Sequence, residues 1–221
     1  MIRVLAITLI VVVIGLASTT AYAASCVPSI GTLVQVGVTE APIAIVERFS
    51  LADLDAMSAQ AGQARNHPAL GFYIGSVGFV LRRATMLSER MTREGALACP
   101  RLEVEAELVA VERAIAIASD LKNTECLRRA ALEHYNRHAG AASAALHQLA
   151  AGLQNRLGPR IDQYLMGRSS SVPARGERLH AYIESLMDEA VAAFTSSLRE
   201  VQSAVDTPAE VRMFVASCQD T

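Results

Sequence analysis

Arg101-Leu102-Glu103-Val104-Glu105-Ala106-Glu107-Leu108 decides the fold class. Leu102, Val104, Ala106 and Leu108 alternate strictly with Glu103, Glu105 and Glu107, and a period of two belongs to a strand with one face on a core and one in water. The glutamates are read as that solvated face rather than as a cation site. After a turn near Val111-Glu112, Ala114 to Ala118 reads as the partner strand, with Ile115 and Ile117 on one side. Upstream, Thr32 to Val38 and Pro42 to Val46 are short β-rich segments. Ser50 is a candidate N-cap for a short helix, and Phe72 to Val80 favours a strand punctuated by Gly75 and Gly78.

Beyond Asn123 the period becomes helical. Leu127, Ala131, Leu132, Tyr135, Ala139, Ala142, Leu146 and Leu149 predict an Ala-rich helix running to Leu157 and stopped by Gly158-Pro159. A second helix is expected from Arg160 to Met166 and a polar loop from Gly167 to Pro173. A long amphipathic helix follows from Glu177 to Ser203, with Leu179, Ile183, Leu186 and Phe194 on its apolar side. Thr207-Pro208 reads as the start of a last short helix ending near Cys218. Strands first and helices afterwards predict an α+β domain, with a small antiparallel sheet followed by long helices.

The N-terminus pairs Arg3 with an apolar run from Val4 to Ala17 and the small-x-small site Ala21-Tyr22-Ala23. That is the pattern of a cleaved secretory signal peptide over residues 1–23, and the run is shorter than the roughly twenty residues that span a bilayer. Residues 24–221 then form one domain, periplasmic or secreted, with no membrane association after cleavage. Removing Arg3 from the 20 basic residues leaves 19 against 22 acids, a net charge of −3. So mild an acidic balance excludes nucleic acid as a partner. Arg82, Arg83, Arg90 and Arg93 cluster without aromatics between them, which reads as a solvated face. Cys26, Cys99, Cys126 and Cys218 are an even set in an exported chain and predict disulfides. Of the three connectivities, Cys99 with Cys126 and Cys26 with Cys218 would clamp a hairpin to the long helix and tie the termini together.

Within Glu125-Cys126-Leu127-Arg128-Arg129-Ala130-Ala131-Leu132-Glu133-His134-Tyr135-Asn136-Arg137-His138, the two histidines stand four apart. On a helix that spacing puts both imidazoles on one face, where they can reach one metal ion. The layout of Cys126, His134 and His138, preceded by Cys99-Pro100 and two strands, resembles exported bacterial zinc peptidases marked by Cys-x7-His-Glu-x-x-His. The resemblance covers about residues 95–150 and implies zinc as the cofactor. It breaks at the residue that takes a proton from metal-bound water, where this chain has Tyr135 in the general-base position. A phenol titrating near 10 is an inefficient base at neutral pH, and losing the base costs about two to four orders of magnitude in rate.

A third metal ligand is missing from the local motif, since the position six beyond His138 is Ala144 and His147 faces the other way. Candidates on the later helices are Asp162, Glu177, His180 and Glu184. The leading expectation is therefore an exported protein on a zinc-peptidase-like scaffold without efficient hydrolysis, a pseudoenzyme that binds metal or a protein or peptide partner. One alternative is a metal-free periplasmic interaction module with His134 and His138 on a solvated helix face. The other is an active metallohydrolase with a non-standard general base.

Overall fold

The computed structural model describes residues 31–60, 69–87, 101–166, 172–207 and Cys218. The expected signal peptide, His67, Arg90, Arg93, Cys26, Cys99 and the helix begun by Pro208 lie outside those residues. The described chain is α+β. Strands β1 (Leu33–Glu40) and β2 (Ala44–Val46) precede helix α1 (Leu51–Gln60). Then come β3 (Gly71–Leu87), β4 (Arg101–Ile117), a 3-10 turn (Ser119–Asn123), α2 (Glu125–Met166) and α3 (Val172–Ser203).

β4 organises the sheet. β3 pairs with it antiparallel along its whole length, from Gly71 opposite Ile117 to Leu87 opposite Arg101. β1 and β2 both pair with it parallel, through Leu33–Glu103 to Glu40–Ala110 and then Ala44–Ala114 to Val46–Ala116. A strand has two edges, so β1 and β2 lie end to end along the one that β3 leaves. The sheet is therefore mixed, and the expected all-antiparallel arrangement is corrected by its two parallel strands. Parallel pairing of β1 and β4 is reached through a long connection that includes α1 and β3, as such pairing requires.

The alternation in β4 places Leu102, Val104, Ala106, Leu108 and Ala110 in the core. At Glu112 the backbone enters the left-handed region, with φ 54°. The register with β3 shifts at Ile74/Ser76, opposite this point. One extra residue exchanges the faces of everything that follows. Beyond the bulge odd-numbered Ile115 and Ile117 are buried, and Ala116 and Ala118 are buried too, so this end of the strand is covered on both faces, whereas before the bulge only even-numbered residues are buried. The segment expected to be a separate partner strand after a turn is the continuation of the same strand. The true partner is β3, which runs seven residues past Val80 to Leu87 and carries Arg82 and Arg83.

The face of the sheet away from the helices is wet, and its glutamates have cross-strand partners. Glu107 accepts from Thr39 Oγ1 on β1 and from Arg82 Nε on β3 at 2.7 Å, while Arg83 lies 3.5 Å from Glu105. The Thr39 hydroxyl and then the Arg82 guanidinium hold the Glu107 carboxyl below its ordinary value of 4.5. On the opposite face, Leu146, Leu157 and Ile161 of α2 and Ile183, Met187 and Phe194 of α3 form one core with Val34 and Leu108 of the sheet. A second apolar cluster of Leu54, Ala69, Ile115, Ala116, Ile117, Leu121, Ala131 and Tyr135 closes the far end. α1 enters this end through a capping box: Ser50 N and Oγ donate to Asp53 Oδ2 at 2.9 and 2.7 Å, and Asp53 N donates back to Ser50 Oγ at 3.2 Å. Arg113, on the helix side of β4, is answered by Glu40 at 2.6 Å, and Glu40 also accepts from Ser143 Oγ of α2 at 2.5 Å.

α2 does not stop at Gly158-Pro159. It passes through the proline to Met166, so the two helices expected there are one. Pro159 removes one backbone donor from the ladder. Tertiary contacts compensate, because a side chain at Gly158 would meet the Thr32 carbonyl at 2.9 Å and Thr32 N donates to Asp162 Oδ1 at 3.0 Å. The start of β1 therefore rests directly on this turn. α3 likewise begins at Val172, five residues before the expected start.

The disulfide joins Cys126 and Cys218, whose Cα atoms are 5.7 Å apart. Both expected pairings are thereby overturned, since each required one of these two residues with a different partner. The reason is topological: α3 runs back along α2, so the chain's end returns to the first turn of α2. No helix among the described residues is long and apolar enough to cross a membrane.

Two outcomes check this architecture. A β-carbon at position 71 would lie 2.4 Å from Tyr135 Cε2 and 2.6 Å from the Ala116 carbonyl. Gly71→Ala should therefore cost about 1–3 kcal/mol in denaturant unfolding, the usual cost of overpacking. Glu107 should titrate by NMR below 4.5, and Thr39→Val should move it back toward that value. Because its folded value is lowered, its contribution to stability is present above the unfolded value and disappears as pH falls through the folded one.

Candidate metal centre

The buried stripe of α2 runs through Ala131, His134, Tyr135, His138, Ala139, Ala142, Leu146, Ala150, Leu153, Leu157 and Ile161. This is the i, i+3, i+4 pattern of a helix packed along one face. The two histidines belong to that stripe, with His134 7% and His138 3% exposed, so the solvated-face alternative does not describe them. Buried imidazoles require polar partners. They find them at the far end of α3, where the helix runs back over the start of α2.

His134 Nε2 and His138 Nε2 lie 3.1 and 3.0 Å from Asp206 Oδ1, and 3.0 Å from each other. On its other side His138 Nδ1 faces Gln202 Oε1, and Gln202 Nε2 donates to the His138 carbonyl at 3.2 Å. That amide orientation makes Oε1 the acceptor. With Oε1 accepting, Nδ1 is the donor, and in the neutral ring the Nε2 lone pair then faces His134 and Asp206. A lone pair and a carboxylate oxygen 3.0 Å apart repel unless something positive lies between them. One proton on His134 Nε2 can point along only one side of the triangle. A proton on each Nε2 would set two N–H groups against each other at 3.0 Å. A cation among the three atoms satisfies all of them at once.

The donor set fits a divalent transition metal: two neutral imidazole nitrogens and one carboxylate oxygen. Tetrahedral zinc with bonds of about 2.0–2.1 Å would separate its donors by roughly 3.3 Å, so the observed spacing is close to that of an occupied shell. His134, His138 and Asp206 together can hold a metal ion. Gln202 supplies the outer hydrogen bond that fixes an imidazole ligand's tautomer and orientation.

Of the expected residues, the structure brings His134 and His138 together and places the four proposed third ligands elsewhere. Asp162 accepts from Thr32. Glu177 is exposed on α3, and His180 and Glu184 face each other at 3.5 Å on its solvent side. His147 is 62% exposed and lies 3.3 Å from Glu40. Tyr135 is 3% exposed, with its ring stacked on His138 at a centroid distance of 5.5 Å and packed beneath Gly71. It supports the imidazole from below as part of the apolar cluster, where a carboxylate would be costly. Asp206 and Gln202 were missed. Asp206 lies past the end of α3 and 72 positions from His134, and no local spacing points to it.

If Gln202 fixes the tautomer, nitrogen-resolved imidazole NMR should find the neutral His138 ring protonated on Nδ1. Gln202→Met should convert it to a mixture of tautomers, and Gln202→Glu, which keeps an acceptor, should restore the single form.

No protein-family model, curated protein or solved structure matches this chain.

Proposed function

We propose that this is an exported zinc-binding protein on a zinc-peptidase-like scaffold, with His134, His138 and Asp206 as the metal ligands and without efficient hydrolytic activity. The observation that carries the reading is the convergence of two imidazole nitrogens and one carboxylate oxygen, from two separate helices, within hydrogen-bonding distance of one another. Two histidines and a carboxylate are also the ligands of many catalytic zinc sites, which keep a fourth position for water. Hydrolysis further needs a base poised beside that water. The position that would supply it in the resembled peptidases holds Tyr135, which is stacked on His138 and buried in apolar surroundings. The ion's role is accordingly to tie the end of α3 to the start of α2 and to present a fixed surface to a protein or peptide partner. The Cys126–Cys218 disulfide supports an oxidising compartment, and with the leader-like N-terminus the reading is periplasmic or secreted.

Metal analysis of the purified mature protein should find about one zinc per chain. Zinc at about a hundred times its Kd should raise the unfolding free energy by about 2.7 kcal/mol. Asp206→Asn and His134→Ala should each remove that stabilisation while leaving the helical content of the metal-free protein unchanged. On unfolded protein substrates no zinc-dependent cleavage is expected, and robust cleavage that His138→Ala abolishes would overturn the non-hydrolytic reading.

A further inference from the structure

We infer that a cleft beside the bulge of the sheet receives one branched aliphatic residue of a peptide partner, held through that residue's backbone carbonyl. The cleft lies between β3 and β4 on one side and α2 and α3 on the other, and takes in about 320 Å³ up to its open mouth. Its floor is apolar, formed by Val77, Ala110, Ala142, Leu146, Phe194 and Leu198. Gly75 sits where the register of β3 shifts between Ile74 and Ser76, and contributes no side chain to fill the gap. The cleft is separate from the metal centre, since Ala142 and Leu198 stand one helical turn from His138 and Gln202. It goes beyond the metal-binding reading and needs no ion.

The rim is polar, and its acceptors are already engaged. Arg113, whose side chain is 9% exposed, places Nη1 2.6 Å from Glu40 Oε2 and donates from the same nitrogen to the Ala41 carbonyl at 3.1 Å. Glu40 Oε1 accepts from Ser143 Oγ and lies 3.3 Å from His147 Nε2. The donors are less well served. Arg113 Nε reaches Tyr73 Oη only at 3.4 Å, and neither Arg113 Nη2 nor the Tyr73 hydroxyl proton has an acceptor among the described residues.

Arg113 and Tyr73 both line the cleft, so the chemistry that completes it is an acceptor oxygen joined to an apolar group. A carboxylate is a poor choice. Glu40 already neutralises Arg113, and a second anion would lose its hydration beside that pair without meeting a net positive charge. An amide carbonyl accepts two hydrogen bonds and brings no charge. Its neighbouring side chain can then bury apolar surface against Leu146, Phe194 and Leu198. A peptide residue such as leucine or valine carries both parts, and the space at the site matches one such residue.

The test is an NMR titration of the full mature protein with N-acetyl-leucinamide, beside isovalerate, which puts the same branched tail on a carboxylate. N-acetyl-leucinamide should bind saturably with a Kd of roughly 1 mM, the scale for a ligand of its size, and shift the methyl signals of Val77, Leu146 and Leu198. Isovalerate should bind at least about tenfold more weakly, because of the carboxylate's desolvation. Tyr73→Phe, which removes one donor and keeps the ring, should weaken N-acetyl-leucinamide about fivefold. At position 75 a β-carbon would lie 3.3 Å from Tyr73 Oη and 3.8 Å from Arg113 Cγ, so Gly75→Val should obstruct the rim from an exposed position and cost about tenfold or more. In His134→Ala the Kd should be unchanged. Absence of saturable shifts, isovalerate binding as tightly as the amide, or affinity unaltered by Tyr73→Phe would each overturn the assignment, and Tyr73→Phe decides alone should Gly75→Val not fold. Loss of binding in His134→Ala would overturn the separateness of the two sites, whereas failure of the protein to bind zinc would overturn the metal reading and leave this one standing.

Discussion

The structure depends on how two buried imidazoles are satisfied. His134 and His138 occupy places in the α2 stripe that would otherwise hold leucine or alanine, and their polar atoms cannot reach bulk water. An unpartnered buried polar group costs more than most single apolar contacts contribute. Gln202 and Asp206 must therefore come to them, which fixes both where α3 ends and how the helices are aligned. An apolar helix pair can slide by a turn at modest cost. This pair cannot, because a one-turn slip would bring Leu198 and Gln202 to the places of Gln202 and Asp206. The site thus serves as a register mark for the fold as well as a place for an ion.

The sheet explains why α2 reaches this position. β4 carries the helices on one face, and its bulge at Glu112 keeps Ile115 and Ile117 directed toward the end where Tyr135 packs. Gly71 completes the fit by letting β3 begin against the Tyr135 ring. Tyr135 thereby belongs to the core on one side and to the histidine pair on the other. Its presence where a zinc peptidase has glutamate is an outcome of packing as much as of lost chemistry.

Much of this was readable in the sequence, and the failures have local causes. The alternation from Leu102 to Leu108 and the spacing of His134 and His138 are short-range patterns, and both were found where expected. The segment Ala114 to Ala118 reads as a second strand because a left-handed residue and a turn interrupt a period of two in the same way. Gly158-Pro159 reads as a helix end from propensity alone, whereas contacts with Thr32 and Asp162, more than a hundred positions apart along the chain, carry the helix through it. Parallel pairing of β1 leaves no turn signal to find. Asp206 lay beyond reach for a related reason: a ligand supplied by a distant element has no spacing rule. Asp162, Glu177, His180 and Glu184 have the residue types of ligands, but the position of the helix end brings Asp206 to the histidines instead.

Glu112 has a further consequence, for how this chain tolerates change. Substitution at a left-handed residue is a local matter, and glycine would adopt φ 54° more readily than glutamate does. Removing the residue is different in kind. The strand beyond it would rotate by half a pleat, exchanging Ile115 and Ile117 with the smaller Ala116 and Ala118 in a cluster that is packed on both faces. At one point in β4, then, the protein keeps count of its residues, and the geometry of a histidine pair some twenty positions downstream relies on that count being right.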